Sequence, residues 1–541
     1  MKTQELSACC SWVVVARVLA GRVLLAGLFV FASCAATALG QAEKRELTLE
    51  WIFGPEGRAV AGVPATAWLD EGTLVLLDNR RPPAERTFEK LNPATNERRA
   101  IVDSARALAD LKRSVEGMNV NALPWPLAFD GQAKQALYSF NGDVFVLELD
   151  QARFRRLTST PTEETSASFS PNGRRVAYVR ANNLYFVDLD ADRESQITRD
   201  GSETLLNGTL SWVYWEEVFG RRDIGYWWAP DSQAIAYLQS DEKEVDLTYF
   251  VDFVPFSPRV IKQRYARAGR ANPRVRLGIA ELNNNDATTW IQLTDKPFEY
   301  IVRAKWLPDG GRLSVATMPR IQTELNLYFA DRKTGKTTRV LTETDPGWVN
   351  MNDDLYFFND GQHFLWPSER DGYMHLYRYR MDGTLVNQVT KGKWALASAG
   401  GLAFWVRQSI VGVDEKNGWI YFTAQEQSSI ERHLYRIRPD GSGFMRISKE
   451  PGTHRISMSP DTRYFLDRYS DIRTLPSLRL HASDGPITQT LAAARPQLLT
   501  PYEVQFPELL TIPADDGFPM PAEVLKPKNF SPNRKFPVVM F

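Results

Sequence analysis

The sequence predicts an all-β protein, an eight-bladed β-propeller, and two recurring patterns carry that prediction. The first is a turn in which an aromatic residue or Met, a small residue or Leu, Pro and then Asn or Asp precede an alternating strand. Copies begin at Phe169, Trp228, Trp306 and Met458, with degraded copies at Phe129 and Phe358. Because Pro fixes φ and Asn or Asp followed by Gly accepts positive φ, each copy is expected to join two strands.

The second pattern is an apolar residue followed by a hydroxyl residue at the end of each unit. It occurs at Leu157-Thr158, Ile197-Thr198, Leu293-Thr294, Leu341-Thr342, Val389-Thr390 and Ile447-Ser448. The hydroxyl positions lie 40, 96, 48, 48 and 58 residues apart. A period near 40–50 residues with about four strands per unit is typical of propeller blades. The alternative, a β-sandwich array, would not need the same turn in each unit.

The irregular intervals determine how many blades the sequence can hold. The 96-residue interval contains only one clear turn, so we interpret it as one blade with a large insertion. Counting residues 66–102 as a first, divergent blade gives about eight blades before residue 490. The 15 Trp, 19 Tyr and 32 Pro residues also suit short strands and turns better than long helices.

Residues 1–40 are predicted to be a signal peptide. Residues 23–39 are almost entirely apolar and follow Arg17 and Arg22, and Ala38-Leu39-Gly40 supplies the small residues of a cleavage site. The alternative is an uncleaved anchor formed by residues 23–39, since 17 apolar residues approach the shortest length that spans a membrane.

The leader also accounts for all cysteines. Cys9, Cys10 and Cys34 lie within it, so a chain cleaved after Gly40 would have neither disulfides nor thiol chemistry. The 65 basic and 65 acidic residues balance, which argues against a nucleic-acid partner. Because the chain begins with this predicted leader, we expect the protein to be exported, either periplasmic or secreted. It would be attached to a membrane only if the leader is retained.

The repeat stops near residue 503. Residues 506–512 and 522–527 read as strands joined by the turn at Asp515-Asp516-Gly517, and a third apolar strand begins at Lys535. An apolar strand with nothing to pair or cover it is unusual. We therefore expect residues 501–541 to be the incomplete start of another domain.

Two adjacent carboxylates, Glu216 and Glu217, lie inside the aromatic run Trp212-Val213-Tyr214-Trp215 and Val218-Phe219. Desolvation penalises ionised carboxylates in apolar surroundings, so we expect a cation nearby, either Arg or Lys of the protein or a ligand amine. The alternative is a solvated pair on a short surface helix, where adjacent side chains point about 100° apart.

Four stretches together resemble the dipeptidyl peptidase IV branch of the prolyl oligopeptidase family of serine peptidases. They are the double-glutamate run, Tyr265-Ala266-Arg267-Ala268-Gly269-Arg270-Ala271-Asn272-Pro273, residues 368–377 with 390–394, and residues 516–539. The resemblance covers roughly residues 45–541. It implies a propeller over residues 45–500 and the first strands of an α/β-hydrolase (peptidase) domain over residues 501–541.

The resemblance also implies a function. Members of this family remove dipeptides from a free N-terminus, and Glu216 and Glu217 would hold the α-amino group of the peptide substrate. The implied Ser-Asp-His triad and Tyr oxyanion donor would lie beyond residue 541, and the sequence has no Gly-x-Ser-x-Gly. The 541-residue chain is therefore expected to have no catalytic residues and to be inactive by itself. A homodimer is expected where the hydrolase domain is present.

The pocket arginines of the family are not matched. Gln135-Ala136-Leu137 has Leu at one such position, and Gly347-Trp348-Val349 is followed by residues 350–353, which contain no Arg. This departure leaves the recognition of the substrate carbonyl and of its second residue open.

Cofactor chemistry is not predicted. The five histidines, His363, His375, His433, His454 and His481, are interpreted as structural, and no metal-ligand spacing, Walker motif or dinucleotide fingerprint occurs. We expect no metal and no cofactor. An acylaminoacyl or oligopeptidase type is disfavoured, since a blocked or internal peptide offers no amine. The alternative outside enzymes is a non-catalytic propeller that binds or scaffolds proteins in the cell envelope.

Overall fold

The computed structural model describes residues 44–283, 287–398 and 408–540, so the predicted signal peptide lies outside the described residues. Eight antiparallel sheets follow one another along the chain, which confirms the eight-bladed propeller. Seven have four strands in sequential order, and blade 4 has five.

The blades are numbered in chain order. Blade 1 has the strands Ala65–Trp68, Leu74–Leu77, Glu89–Leu91 and Arg98–Ala100. Blade 2 has Ala128–Phe129, Gln135–Phe140, Asp143–Glu148 and Arg153–Arg156. Blade 3 has Glu164–Phe169, Arg175–Arg180, Asn183–Asp188 and Arg193–Gln196. Blade 4 has Leu205–Asn207, Tyr226–Trp228, Ala234–Asp241, Arg274–Glu281 and Thr288–Trp290. Blade 5 has Tyr300–Trp306, Arg312–Met318, Glu324–Asp331 and Thr337–Thr344. Blade 6 has Tyr356–Phe357, His363–Ser368, His375–Arg380 and Leu385–Gln388. Blade 7 has Ile410–Asp414, Trp419–Ala424, His433–Ile437 and Met445–Arg446. Blade 8 has Thr453–Met458, Tyr464–Ser470, Ser477–Ala482 and Ile487–Ala492.

Other elements are short. The α-helices are Leu49–Phe53, Pro55–Val60 and Ser104–Ser114, and the 3₁₀ turns are Pro83–Glu85 and Pro496–Leu498. One segment, Tyr214–Val218, is a π-helix. Two further hairpins pair Leu247–Asp252 with Arg259–Arg264 and Glu508–Pro513 with Pro519–Val524. No helix among the described residues is long and apolar enough to cross a membrane.

The repeated turn joins the first and second strands of its blade. In blade 3 the Ser170 N–H donates to the Arg175 carbonyl at 2.8 Å and the Gly173 N–H donates to the Ser170 carbonyl at 2.9 Å. Gly173 has a φ of 69°, the left-handed conformation for which glycine is favoured. The turn therefore recurs because each blade needs the same tight reversal.

The repeated hydroxyl has a specific structural role. After the fourth strand, it accepts a hydrogen bond from a backbone N–H of the third strand. The acceptor and donor pairs are Thr158 with Val144, Thr198 with Leu184 and Thr390 with Leu376, each at 2.9 Å, and Ser448 with Leu434 at 3.0 Å. Blade 5 differs, because Thr342 instead donates to Asn326 at 2.7 Å.

We expect Thr390→Val to destabilise the protein by about 1–3 kcal/mol, because the buried N–H of Leu376 loses its hydroxyl acceptor and valine supplies none. The midpoint of urea unfolding measures this effect. The matched control is Thr338→Val at an exposed strand position. Equal midpoint shifts for the two variants would contradict the proposed role of the hydroxyl.

The first and last blades meet and close the ring. Leu74, Leu76 and Leu91 of blade 1 share one buried cluster with residues of blade 8, among them Leu466 and Leu480. A hydrogen bond of 3.1 Å from the Trp68 indole to the Ser457 carbonyl joins the same two blades. The divergent first unit of the sequence is therefore a true blade.

The chain divides into two compact units. One comprises residues 61–494 with 509–523 and contains all eight blades. Within the described residues, the other comprises 44–60, 495–508 and 524–540. In that second unit the Arg45 N–H donates to the Pro501 carbonyl at 2.9 Å, and the Trp51 and Tyr502 rings lie 4.5 Å apart. The division at residues 500 and 501 expected from the sequence stays a prediction.

Candidate functional site

The double-glutamate segment interrupts the first strand of blade 4. Its two halves, Leu205–Asn207 and Tyr226–Trp228, both pair with Ala234–Asp241. Between them lies the π-helix Tyr214–Val218, here called the glutamate helix, in which the Phe219 N–H donates to the Tyr214 carbonyl at 2.8 Å. Single turns of π-helix are frequent at functional sites. Blade 4 also carries a second insertion, the hairpin of Leu247–Asp252 and Arg259–Arg264, here called the blade 4 hairpin.

Apolar side chains anchor the glutamate helix to the propeller. Tyr214, Val218 and Phe219 are buried in the same core cluster as Ile301. The Tyr214 hydroxyl accepts a hydrogen bond of 3.0 Å from the Ile301 N–H. Tyr214, Val218 and Phe219 therefore face the core, whereas Glu216 is only partly buried and Glu217 is exposed.

A largely buried charge network supports the end of this helix. Arg303 of blade 5 donates to the Val218 carbonyl at 2.9 Å and forms an ion pair with Asp353. Arg222 approaches the other oxygen of Asp353 at 3.1 Å. Burial lowers the pKa of Arg303, and the charge of Asp353 opposes that effect. Through Arg303 and Arg222, Asp353 therefore links the end of the helix and the segment that follows it to blade 5 and to the chain before blade 6.

Glu216 already has a cation of the protein beside it. The Arg221 guanidinium donates to both carboxylate oxygens of Glu216, at 2.8, 3.0 and 3.2 Å. These hydrogen bonds hold the pKa of Glu216 below its ordinary value, although desolvation acts the other way. Arg221 has a φ of 65°, uncommon for a residue other than glycine, and its N–H donates to the Trp215 carbonyl at 2.7 Å.

Glu217 differs from its neighbour. Its side chain is exposed. Within residues 44–283, 287–398 and 408–540, no hydrogen bond or ion pair involves its carboxylate. A cationic ligand can therefore approach Glu217 without first displacing an arginine. The cation that the sequence led us to expect is thus present for one carboxylate and absent for the other among these residues.

Two of the sequence motifs lie together. The ring of Tyr265, which opens the second motif, packs 4.3 Å from the ring of Trp212, which opens the double-glutamate run.

The late motif lies in blade 6, where Arg370 donates to Glu343 at 2.8 Å. Arg370 also lines a cavity of about 30 Å³ with Trp348 and Asn350, so tertiary structure brings an arginine to the stretch where the sequence offered none.

Sequence reasoning missed the supporting residues of the site. Arg221 follows Glu216 by five residues, and only the π-helical path that precedes it makes that spacing a contact. Arg303 and Asp353 come from other parts of the chain, and no local pattern marks them.

Two histidines each bond the hydroxyl residue at the end of their own blade. His375 bonds Thr390 and the Gly392 carbonyl, each at 3.0 Å, and His433 bonds Ser448 at 3.0 Å. Among the described residues, no group of three or more His, Cys, Asp and Glu side chains is placed to hold a metal ion.

Comparison with known proteins gives a consistent result. Residues 127–476 match the family model described as the dipeptidyl peptidase IV N-terminal region. The chain is 26% identical over 537 residues to a probable dipeptidyl-aminopeptidase B of Emericella nidulans, covering 91% of this chain and 55% of that protein. It is 25% identical over 518 residues to dipeptidyl peptidase 4 of Trichophyton rubrum, covering 92% and 62%. The chain therefore spans little more than half the length of these relatives.

The fold has a close counterpart among solved structures. The crystal structure of Porphyromonas gingivalis dipeptidyl peptidase 4 superposes with a TM-score of 0.77 at 23% identity, covering 91% of this chain and 69% of that one. This likeness supports the propeller fold.

Proposed function

Because this chain belongs to the family of the dipeptidyl peptidase IV N-terminal region, we propose that it is the substrate-recognising propeller of an exported serine exopeptidase, a dipeptidyl aminopeptidase. In this proposal the glutamate helix binds the free N-terminus of a peptide. The nucleophile belongs to the hydrolase domain of the complete protein. The leader, residues 1–40, directs export to the periplasm or the exterior.

The observation that carries the proposal is the exposed carboxylate of Glu217, which has no partner among the described residues and lies beside the arginine-paired Glu216. A peptide α-amine is largely protonated below its pKa of about 7.7–8.0, so at neutral pH it is the cation that an exposed carboxylate attracts. Charge-assisted hydrogen bonds to a carboxylate are about twice as strong as neutral ones. Arg221 already balances the charge of the neighbouring Glu216, so Glu217 provides most of this attraction.

The anchoring of the helix supports a role in measuring substrate length. Tyr214, Val218 and Arg303 fix the helix to the core, so its carboxylates have a defined position. An amine bound there determines how far a peptide reaches toward a nucleophile, and this limits cleavage to a short N-terminal segment. The propeller would thus both admit substrates and select free N-termini.

The direct test compares two ligands on the 541-residue chain. We expect calorimetry to show that an Xaa-Pro dipeptide amide binds at least roughly tenfold more tightly than its Nα-acetylated form, because acetylation removes the positive charge. We expect Glu217→Gln to remove the difference, and the control Glu163→Gln at another exposed glutamate to preserve it. Equal affinities for both ligands would contradict the proposal and favour a non-catalytic scaffold of the cell envelope.

We expect the chain by itself to hydrolyse neither ligand.

The blade 4 hairpin supports a second part of the proposal, a homodimer. Its tip exposes Phe253, Val254 and Phe256 almost completely, in addition to Tyr249 and Val260 on its strands. Contiguous exposed apolar surface of this kind marks interaction sites. A second copy of the chain is the occupant that we propose.

We expect a double Phe253→Ser and Phe256→Ser variant to halve the mass measured by sedimentation equilibrium, because it removes the apolar contact. The control is Val386→Ser, at an exposed apolar position in blade 6. Because the homodimer is expected where the hydrolase domain is present, the mass is measured on the protein with that domain. A wild-type protein of this kind that stays monomeric at all concentrations would rule out this surface as the dimer contact.

A further inference from the structure

An open cleft of about 510 Å³ lies between the glutamate segment and the base of the blade 4 hairpin. We call it the tryptophan cleft. Its lining includes Ser211, Trp212, Trp215, Glu242, Lys262 and Arg264. It shares the segment that carries Glu216 and Glu217, but neither of these glutamates lines it.

Glu242 is an unusual residue to find in this lining. It follows the strand Ala234–Asp241 and is 8% exposed. Its N–H donates to the Thr204 carbonyl at 2.7 Å, and its carbonyl accepts from the Val245 N–H at 2.9 Å, so its backbone is fixed. Its carboxyl group has no hydrogen bond or ion pair with any part of the chain that the structure describes. Buried carboxylates are normally paired.

Nearby cations do not compensate Glu242. Burial raises its pKa to about 7, and the charge of Arg264 opposes this only in part. The Arg264 guanidinium instead donates to the Val245 carbonyl at 2.8 Å. Lys262 and Glu203 also line the cleft, but both are exposed. The cleft therefore presents a largely buried acid that has no ion pair among the described residues.

A second orphaned polar group lies in the same cleft. Ser211 is 2% exposed, and its hydroxyl has no hydrogen-bond partner among the described residues. The Ser211 carbonyl accepts from the Trp215 N–H at 2.9 Å, which fixes this residue. The Ser211 hydroxyl is thus a buried polar group without a partner, and the Glu242 carboxyl group in the same cleft has none among the described residues. Together they indicate a site for a ligand that can donate hydrogen bonds.

The apolar part of the lining restricts the class of ligand. Two indole rings, Trp212 and Trp215, line the cleft, and the Tyr265 ring packs 4.3 Å from that of Trp212. Indole rings attract cations and accept apolar stems. A carboxyl group, a hydroxyl acceptor and two indoles together match an ammonium group on a hydrocarbon chain.

We propose that the tryptophan cleft binds a primary ammonium group carried on an apolar stem, as in a lysine side chain or a free alkylamine. Glu242 is the counter-ion, the Ser211 hydroxyl accepts one ammonium N–H, and the stem lies against Trp212 and Trp215. This site is separate from Glu217, and its existence does not depend on the proposed peptidase function.

Calorimetry with ligands that lack a free α-amine tests the proposal on the full 541-residue chain. We expect Nα-acetyl-lysine N-methylamide to bind at least roughly tenfold more tightly than the norleucine derivative, which has a similar stem without the charge. Butylamine distinguishes the source: binding of butylamine alone assigns the cleft to free amines, and binding of both ligands assigns it to either source. Equal affinity for the lysine and norleucine derivatives together with no binding of butylamine would overturn the proposal.

Variants and pH then locate the site. We expect Glu242→Gln to weaken binding of the lysine derivative roughly tenfold or more, and the control Glu163→Gln, at an exposed glutamate outside the cleft, to leave it unchanged. A cation lowers the pKa of Glu242, so binding should release protons near pH 6–7 and strengthen as the pH rises through that range. The other charged groups that line the cleft are Glu203, Lys262 and Arg264.

Three results count against the cleft. One is binding unaffected by Glu242→Gln, and another is tighter binding of an Nα-acetyl-aspartate derivative, which would show that Lys262 and Arg264 dominate. The third is an absence of proton release. If Glu242→Gln does not fold, the wild-type comparison of ligands and the proton release decide the question.

Discussion

Replacing Glu217 by Gln in the complete enzyme is expected to lower kcat/KM for dipeptidyl substrates with a free N-terminus at least about 100-fold. The reason is that Gln keeps the shape of the side chain and removes the charge that would pair with the substrate ammonium group. An amine that is no longer fixed leaves the scissile bond misplaced, so kcat is expected to fall together with kcat/KM. Steady-state hydrolysis of an Xaa-Pro chromogenic substrate measures both.

Glu216→Gln is expected to lower kcat/KM to a similar extent, although Arg221 already occupies Glu216. In that variant Glu216 no longer balances the charge of Arg221, which then opposes binding of the incoming amine. Glu163→Gln, another exposed glutamate outside the helix, serves as the control and should retain wild-type kinetics. If both helix variants kept wild-type kinetics, Glu216 and Glu217 would have no part in recognising the N-terminus.

Removing the carboxylate of Asp353 is expected to produce the largest loss of stability near the site. Asp353→Ala should lower the free energy of unfolding by about 3–5 kcal/mol, because it leaves a largely buried guanidinium without its counter-ion. The Arg303 and Asp353 side chains are only 16% and 13% exposed, and Arg222 also loses a partner. Chemical denaturation followed by circular dichroism measures the change.

A surface ion pair supplies the control for this experiment. Arg174 and Asp190 form an ion pair in which both side chains are more than half exposed. Asp190→Ala should therefore change stability by no more than about 1 kcal/mol. Similar losses in the two variants would indicate that burial of Arg303 does not govern the effect. Arg303 also bonds the Val218 carbonyl, so Asp353→Ala should weaken substrate binding as well.

The repeated elements of the fold could be predicted because their causes are local. The turn that begins at Phe169 needs only Pro, a polar residue and Gly, and the hydroxyl of Thr158 needs only the third strand of its own blade. Each blade solves the same problem with neighbouring residues, so the solution repeats along the sequence. The 96-residue interval likewise indicated a blade with inserted chain, and blade 4 contains two such segments.

The candidate site was only half predictable. The adjacent glutamates and their aromatic neighbours are visible in the sequence, and desolvation indicated that they require a cation. The sequence did not distinguish them. Glu216 pairs with Arg221 because the chain leaves the π-helix through a left-handed residue, whereas Glu217 is left exposed. A small difference in backbone path thus assigns different electrostatic environments to neighbouring, identical side chains.

The sequence by itself determined the all-β class, the number of blades and the position of the double-glutamate segment, because periodic turns and hydrogen bonds leave a periodic record. Tertiary structure alone decided that Arg303 and Asp353 support the glutamate helix and that Glu242 and Ser211 meet in one cleft. These groups come from separate strands and loops. Their chemistry depends on burial and on distances between residues far apart in the chain, and no local pattern records either quantity.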